Sequence, residues 1–202
     1  MKGTMSGRGA GGGRKGDDGA GESGGTTPRK RPRRPRATGP LRGSLLHLDA
    51  RGRARMVDVG AKPTTRRTAT ARGLVRLNAA AWKALADGRL SKGDALAVAR
   101  LAGILAAKKT SEIVLLAHPI VLDSVGVECE LDASTRTVVV TATTSTSART
   151  GVEMEALTAV AGACLAIYDM AKSLDRAITI AEIVLLEKRG GRSGNYLRKP
   201  LK

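Results

Sequence analysis

Two stretches of this chain set acid, base and cationic side chains where a purely structural pattern does not require them. His118, one of only two histidines, stands in LLAHP (115–119) at the end of an apolar run. Pro119 drives it into an extended or turn conformation, where a side chain can face a cleft; a hydrogen-bonded turn histidine would fit the same pattern. Asp169 and Lys172, three residues apart in IYDMAK, share one helix face and form either an acid and base pair or an ordinary exposed ion pair. Met154 and Glu155 lie in VEMEAL (152–157), at the start of the same helical segment. The free backbone N–H groups of a helix start favour anions or polar rings, although the adjacent carboxylates count against a phosphate there.

Glu155 precedes Asp169 by 14 residues. At 100° and 1.5 Å per residue they return to within about 40° of one face but lie about 21 Å apart. One small pocket in one subunit does not hold both, so joint service asks for an extended ligand or for pieces from two subunits. The basic residues of this region are grouped as Arg66 and Arg67, Lys92, Lys108 and Lys109, and Lys188, Arg189 and Arg192, the last set in a KRGGRSG turn. Glycines in such a turn let a backbone approach a ligand closely. The chain contains no Walker phosphate loop, dinucleotide fingerprint or serine nucleophile elbow, which disfavours the common nucleotide enzymes.

The elements that position these residues are legible in the periodicity. RTATARGLVRL (67–77) reads as a strand and NAAAWKALADG as a short helix ending at Gly88. Ser91 reads as the N-cap of a core helix over 92–109, whose Leu96, Ala99, Ala102, Gly103 and Ala106 share a face. Residues 124–131 alternate Val125, Val127, Cys129 and Leu131 inward, and DASTR joins them to TVVVTATTS as an antiparallel hairpin. A long helix from Gly151 to about Asp175 has carboxylates in its first turn and a Lys in its last, in keeping with the helix dipole. Residues 178–187 read as the final strand. This order predicts an α+β domain, an antiparallel sheet covered on one face by helices.

Composition bounds the rest. The chain has 202 residues and a formal net charge of +17; 11 basic and 3 acidic side chains fall within residues 1–42, about half the excess. That Gly-, Arg- and Pro-rich segment, with its PRKRPRRPR run, is expected to be a disordered basic tail. The folded domain is expected over 43–196, with a short basic tail at 197–202. With no Phe and only Trp82, Tyr168 and Tyr196 as aromatics, the core must come from Leu, Val, Ile and Ala. Cys129 and Cys164 lack the spacing of a zinc or redox site and read as reduced core residues. No apolar run approaches the roughly 20 residues that span a bilayer, and no secretory signal is evident. A soluble, cytoplasmic protein is expected, with organellar targeting by the basic tail as an open alternative.

MVDVGAK (56–62), KGDALAVARLAGILAAKKT (92–110), LLAHP (115–119), TGVEMEAL (150–157), IYDMAK (167–172) and KRGGRSG (188–194) resemble, in order and spacing, the MoaC family of molybdenum cofactor (molybdopterin) biosynthesis. The likeness covers 45 to about 196. It implies a ferredoxin-like subunit, a homohexamer built as a trimer of dimers, and active sites at a subunit interface. It also implies a lyase, cyclic pyranopterin monophosphate synthase, which rearranges the GTP derivative 3′,8-cyclo-7,8-dihydro-GTP to the tricyclic pterin with pyrophosphate release. No metal, organic cofactor, membrane or nucleic acid is implied. By the same resemblance Asp169, Lys172 and Lys92 are catalytic. Leu116, Ala117, His118, Met154, Glu155, Arg67 and Lys188 are substrate-binding, the cations Lys92, Arg67 and Lys188 serving the triphosphate. Two positions depart from the family pattern: Ala117 where Cys is usual before the histidine, and Asn195 where Asp is usual. The competing readings are a nucleic-acid-binding protein acting through its basic tail, which the scarcity of stacking aromatics opposes, and a catalytically silent MoaC-like scaffold.

Overall fold

The computed structural model of the chain describes residue 49 and residues 51–199; the expected basic tail at 1–42 and the last three residues of the C-terminal tail at 197–202 lie outside the described residues. The elements follow in the order β1 (Thr65–Arg76), α1 (Ala79–Ala86), α2 (Ala95–Lys108), α3 (Thr110–Ile113), β2 (Ser124–Asp132), β3 (Thr137–Ala148), α4 (Glu153–Ala171), β4 (Thr179–Arg189) and β5 (Tyr196–Leu197). The strands form one sheet in the order β2-β3-β1-β4-β5, every neighbouring pair antiparallel. Without the short helices α1 and α3 and the two-residue β5, this is the β-α-β-β-α-β path of a ferredoxin-like fold.

Period-two burial fixes the sheet's inner face. Ala69, Ala71 and Val75 on β1, Val127 and Cys129 on β2, and Val138, Val140 and Ala142 on β3 are all buried, as alternation on a half-covered sheet requires. α4 lies on that face, burying Ala156, Val160, Ala163, Cys164 and Ile167. Among the described residues it is the one helix that by length and composition could cross a membrane, and half of it is buried within the fold. Glu153, Glu155 and Asp169 interrupt its apolar character, and it serves as the core helix.

Small residues let α2 and α4 approach backbone to backbone. A Cβ on Gly162 of α4 would sit 2.5 Å from the Ala106 Cβ and 3.1 Å from the Ala102 carbonyl oxygen, and one on Gly103 of α2 would sit 2.9 Å from the Ala159 carbonyl oxygen. The neighbours are backbone and methyl groups that cannot swing aside. Gly162→Val is therefore expected to destabilise the domain by about 1–3 kcal/mol through overpacking, read as a lower urea midpoint at unchanged slope.

Several local expectations change. The N-cap of α2 is Asp94, whose carboxylate accepts from the Leu96 and Ala97 N–H groups at 3.0 Å; Ser91 lies in the preceding turn and Lys92 precedes the helix instead of opening it. Leu131 is 37% exposed because it sits at the end of edge strand β2. The long helix stops at Ala171, and Lys172 is its C-cap residue, not part of its last turn. That stop is fixed by buried Asp175, which accepts from the Asn78 N–H at 2.7 Å and the Ala177 N–H at 2.9 Å and so ties the end of α4 to the start of α1.

Candidate active site

The candidate residues separate onto the two ends of α4. At its C-terminal end the Asp169 carboxylate is gripped by two lysines. Lys172 Nζ lies 2.7 Å from Oδ1 and Lys92 Nζ 2.7 Å from Oδ2, and Lys92 also donates to the Asp169 carbonyl at 2.8 Å. The turn before α2 supplies Lys92 and the cap of α4 supplies Lys172. All three side chains are exposed. The hydrogen bonds from Lys172 and then Lys92 hold the Asp169 carboxyl down at about 2, and the Asp169 charge in turn raises the Lys172 ammonium. At neutral pH Asp169 is thus a carboxylate, and Lys172 holds its proton more firmly than a free lysine does.

At the N-terminal end a cleft of about 540 Å³ lies between the start of α4 and the loop after α3. Leu116, Ala117 and His118 line it from the loop, and Glu153, Met154 and Glu155 from the helix. Two anchors hold the loop against β3: the Thr146 hydroxyl donates to the Val121 carbonyl at 2.6 Å and the Asp123 N–H to the Ser145 carbonyl at 2.9 Å. The Thr144 hydroxyl, donating to the Val152 carbonyl at 3.1 Å, fixes the helix start. Val57, Val59 and Lys62 close the remaining side.

Glu155 is 4% exposed. Burial, with a smaller push from the Glu153 charge, raises its carboxyl to about 7, so near neutrality it can either donate or accept a hydrogen bond. The sign for stability follows. The folded state holds a proton that the unfolded chain releases near 4.5, so stability falls as pH rises from about 4.5 through 7. Glu155→Gln is expected to flatten that slope and, at pH 8, to raise stability by about 1–3 kcal/mol, since the neutral amide has no charge to desolvate; unfolding at pH 5 and pH 8 checks it.

The cations Arg67 and Lys188 do not line this cleft but contact residues that line or adjoin it. Lys188 Nζ sits 3.4 Å from Glu153 Oε1 and donates to Ser193 Oγ at 2.5 Å. Arg67, at the start of β1, donates from Nε to the Ala148 carbonyl at 3.1 Å and from Nη2 to the Arg149 carbonyl at 3.2 Å, next to the Thr150 and Gly151 that line the cleft. Lys92, by contrast, belongs to the Asp169 group. Sequence reasoning missed Lys62 as a cleft residue, a lone cation beyond the apolar Val57 and Val59 that also line it, and read Glu153 only as part of the turn that opens the helix. Among the described residues no group of three or more His, Cys, Asp or Glu side chains could hold a metal ion.

The fold is a ferredoxin-like α+β one, with an apolar-walled cleft at one end of α4 and a carboxylate held by two lysines at the other. The MoaC family model matches residues 56–191. The chain is similar to the cyclic pyranopterin monophosphate synthase of Parvibaculum lavamentivorans, with 52% identity over 77% of this chain and 97% of that one. It is likewise similar to the protein of that name in Roseiflexus sp., at 54% over 76% and 97%, and to cyclic pyranopterin monophosphate synthase 1 of Mycobacterium bovis, at 54% over 77% and 91%. The chain belongs to the MoaC family.

Proposed function

We propose that this chain is a cyclic pyranopterin monophosphate synthase of molybdenum cofactor biosynthesis, a phosphorus–oxygen lyase that converts 3′,8-cyclo-7,8-dihydro-GTP to the cyclic pyranopterin with release of pyrophosphate. The observation that carries the reading is the division of labour along α4, in a chain at half identity to proteins bearing that name. One end holds an acid–base group and the other an apolar-walled cleft with a titratable carboxyl and neighbouring cations.

Glu155 and His118 hydrogen-bond the purine-derived ring, and Leu116 and Met154 pack on its faces. Arg67 and Lys188 hold the triphosphate. Asp169, Lys172 and Lys92 move protons during the rearrangement: Lys172 donates, Asp169 accepts once a ligand competes for its two lysines, and Lys92 steadies the charge that develops as pyrophosphate leaves.

The active unit is an oligomer, a hexamer built as a trimer of dimers in the cytoplasm, in which the C-terminal end of one α4 meets the N-terminal cleft of a second. Two features support it. The two groups lie about 21 Å apart along one helix. Leu101, Leu105, Ile113 and Leu165 stand exposed on α2, α3 and α4, Leu101 by 69%, an apolar surface of the kind that marks interfaces. The deciding experiment supplies purified protein with the cyclised GTP intermediate and follows pyrophosphate together with the oxidised fluorescent pterin. Both products are expected; a folded oligomer yielding neither would sink the enzymatic reading in favour of the silent scaffold.

A further inference from the structure

The KRGGRSG turn touches β1 at one place. Gly190 and Gly191 both have positive φ, +88° and +82°. A Cβ on Gly190 would collide with the Arg66 carbonyl oxygen. One on Gly191 would collide with Nη1 of Arg67 and stand 2.9 Å from its Cζ and 3.3 Å from Nη2. The bare backbone of residue 191 is thus the surface on which the Arg67 guanidinium rests. The turn is closed on itself: the Gly194 N–H donates to the Gly191 carbonyl at 3.2 Å and the Gly190 N–H to Asn195 Oδ1 at 3.2 Å.

The opposite side of the guanidinium is equally determined. Nε and Nη2 each donate to a carbonyl at the end of β3. Of the five N–H bonds of an arginine, three remain in a fixed plane, the fork that recognises a phosphate bidentately. We infer that Gly191 is a positioning residue for anion binding: by presenting backbone without a side chain it holds the Arg67 fork toward the phosphate chain of the substrate. The inference rests on the proposed synthase function. It also accounts for Asn195, whose amide oxygen accepts the Gly190 N–H as a carboxylate would, so the turn keeps its shape without the usual acid.

The test is a double-mutant cycle with an internal control. Asparagine tolerates positive φ, so Gly191→Asn adds the clash with Arg67 at little backbone strain. Gly194→Asn makes the same change in the same turn, at φ +69° where no atom lies within 4 Å of the new Cβ. Gly191→Asn is expected to raise KM for the cyclised GTP derivative about tenfold with kcat within about twofold, as loss of one oriented charged hydrogen-bonding group implies. Gly194→Asn should leave both constants within about twofold of wild type. In an Arg67→Ala background, Gly191→Asn should add less than about twofold, because its effect passes through the side chain already removed. An undiminished tenfold effect in that background, or an equal effect of Gly194→Asn, would overturn the inference. Should Gly191→Asn fold poorly, Arg67→Lys substitutes for it: loss of the fork is expected to raise KM as Arg67→Ala does, and a wild-type KM would refute the role. If wild type shows no turnover, the synthase reading fails, and calorimetric titration with inorganic pyrophosphate then decides the inference alone. Binding weakened alike by Gly191→Asn and Arg67→Ala supports it; binding indifferent to Gly191→Asn overturns it.

Discussion

Lys172→Ala is expected to lower pyrophosphate release by about 10²–10⁴-fold, the span of a positioned general acid, while the oligomer elutes unchanged. The reasons lie at the C-cap of α4. The Lys172 side chain is exposed and, among the described residues, its one ion-pair partner is Asp169. Its backbone bond to Tyr168 survives truncation, so the fold loses little. The proposed chemistry loses its proton donor, an ammonium that Asp169 holds in place and raises and that a ligand competing for Asp169 would release. Lys92 cannot replace it, being spent on both the carboxylate and the carbonyl of Asp169. Asp169→Asn should be as damaging for the complementary reason, since it removes the charge and one of the two side-chain oxygens that hold the lysines. Because Asp169 is held down at about 2, its charge is complete above pH 4 and gives no acid limb to the rate profile there. Any limb near 7 is expected to come from Glu155, whose carboxyl is raised to about 7, and should vanish in Glu155→Gln. Retained turnover in Lys172→Ala would remove this end of α4 from the mechanism, and a dissociated oligomer would make the residue structural.

How far the sequence reached depended on the length of each signal. β1, the β2–β3 hairpin, α2 and α4 were legible because each repeats its apolar period several times. Helix α3, four residues long, and β5, two residues long, hold less than one or two periods and gave nothing to count. Capping failed for a different reason. Ser91 and Asp94 are both competent N-caps, and the choice was made by backbone geometry that places two N–H groups within reach of Asp94. Leu131 obeys the strand alternation but lies beyond the helices' cover, which only the packed sheet defines.

The site was legible as two sets of residues because rise per residue alone separates Glu155 from Asp169. What spacing could not supply was environment. Burial is what makes Glu155 titrate near neutrality, and it is a property of the packed fold, in which Glu155 shares a small pocket with His118 and Pro119 and with the end of α2. Nor could it show that Arg67 lies on the backbone of residue 191, 124 positions further along the chain.

The strongest consequence of a site divided between subunits concerns two dead enzymes. Lys172→Ala leaves the cleft at the N-terminal end of α4 whole; His118→Ala leaves the Asp169 group whole. Each alone is expected to be inactive. If the two ends of α4 meet only across an interface, an equimolar mixture, unfolded and reassembled together, builds some sites from the intact cleft of one variant and the intact lysine of the other. Random pairing gives about a quarter of the sites both good halves, so the mixture should recover about a quarter of wild-type turnover from components that have almost none. Mixing the same proteins without reassembly should recover nothing, which separates shared sites from trace contamination. A reassembled mixture as inactive as its parents would mean that both residues act within one subunit, and the two ends of a single α4, where Glu155 and Asp169 lie about 21 Å apart, would then have to be bridged by the substrate itself.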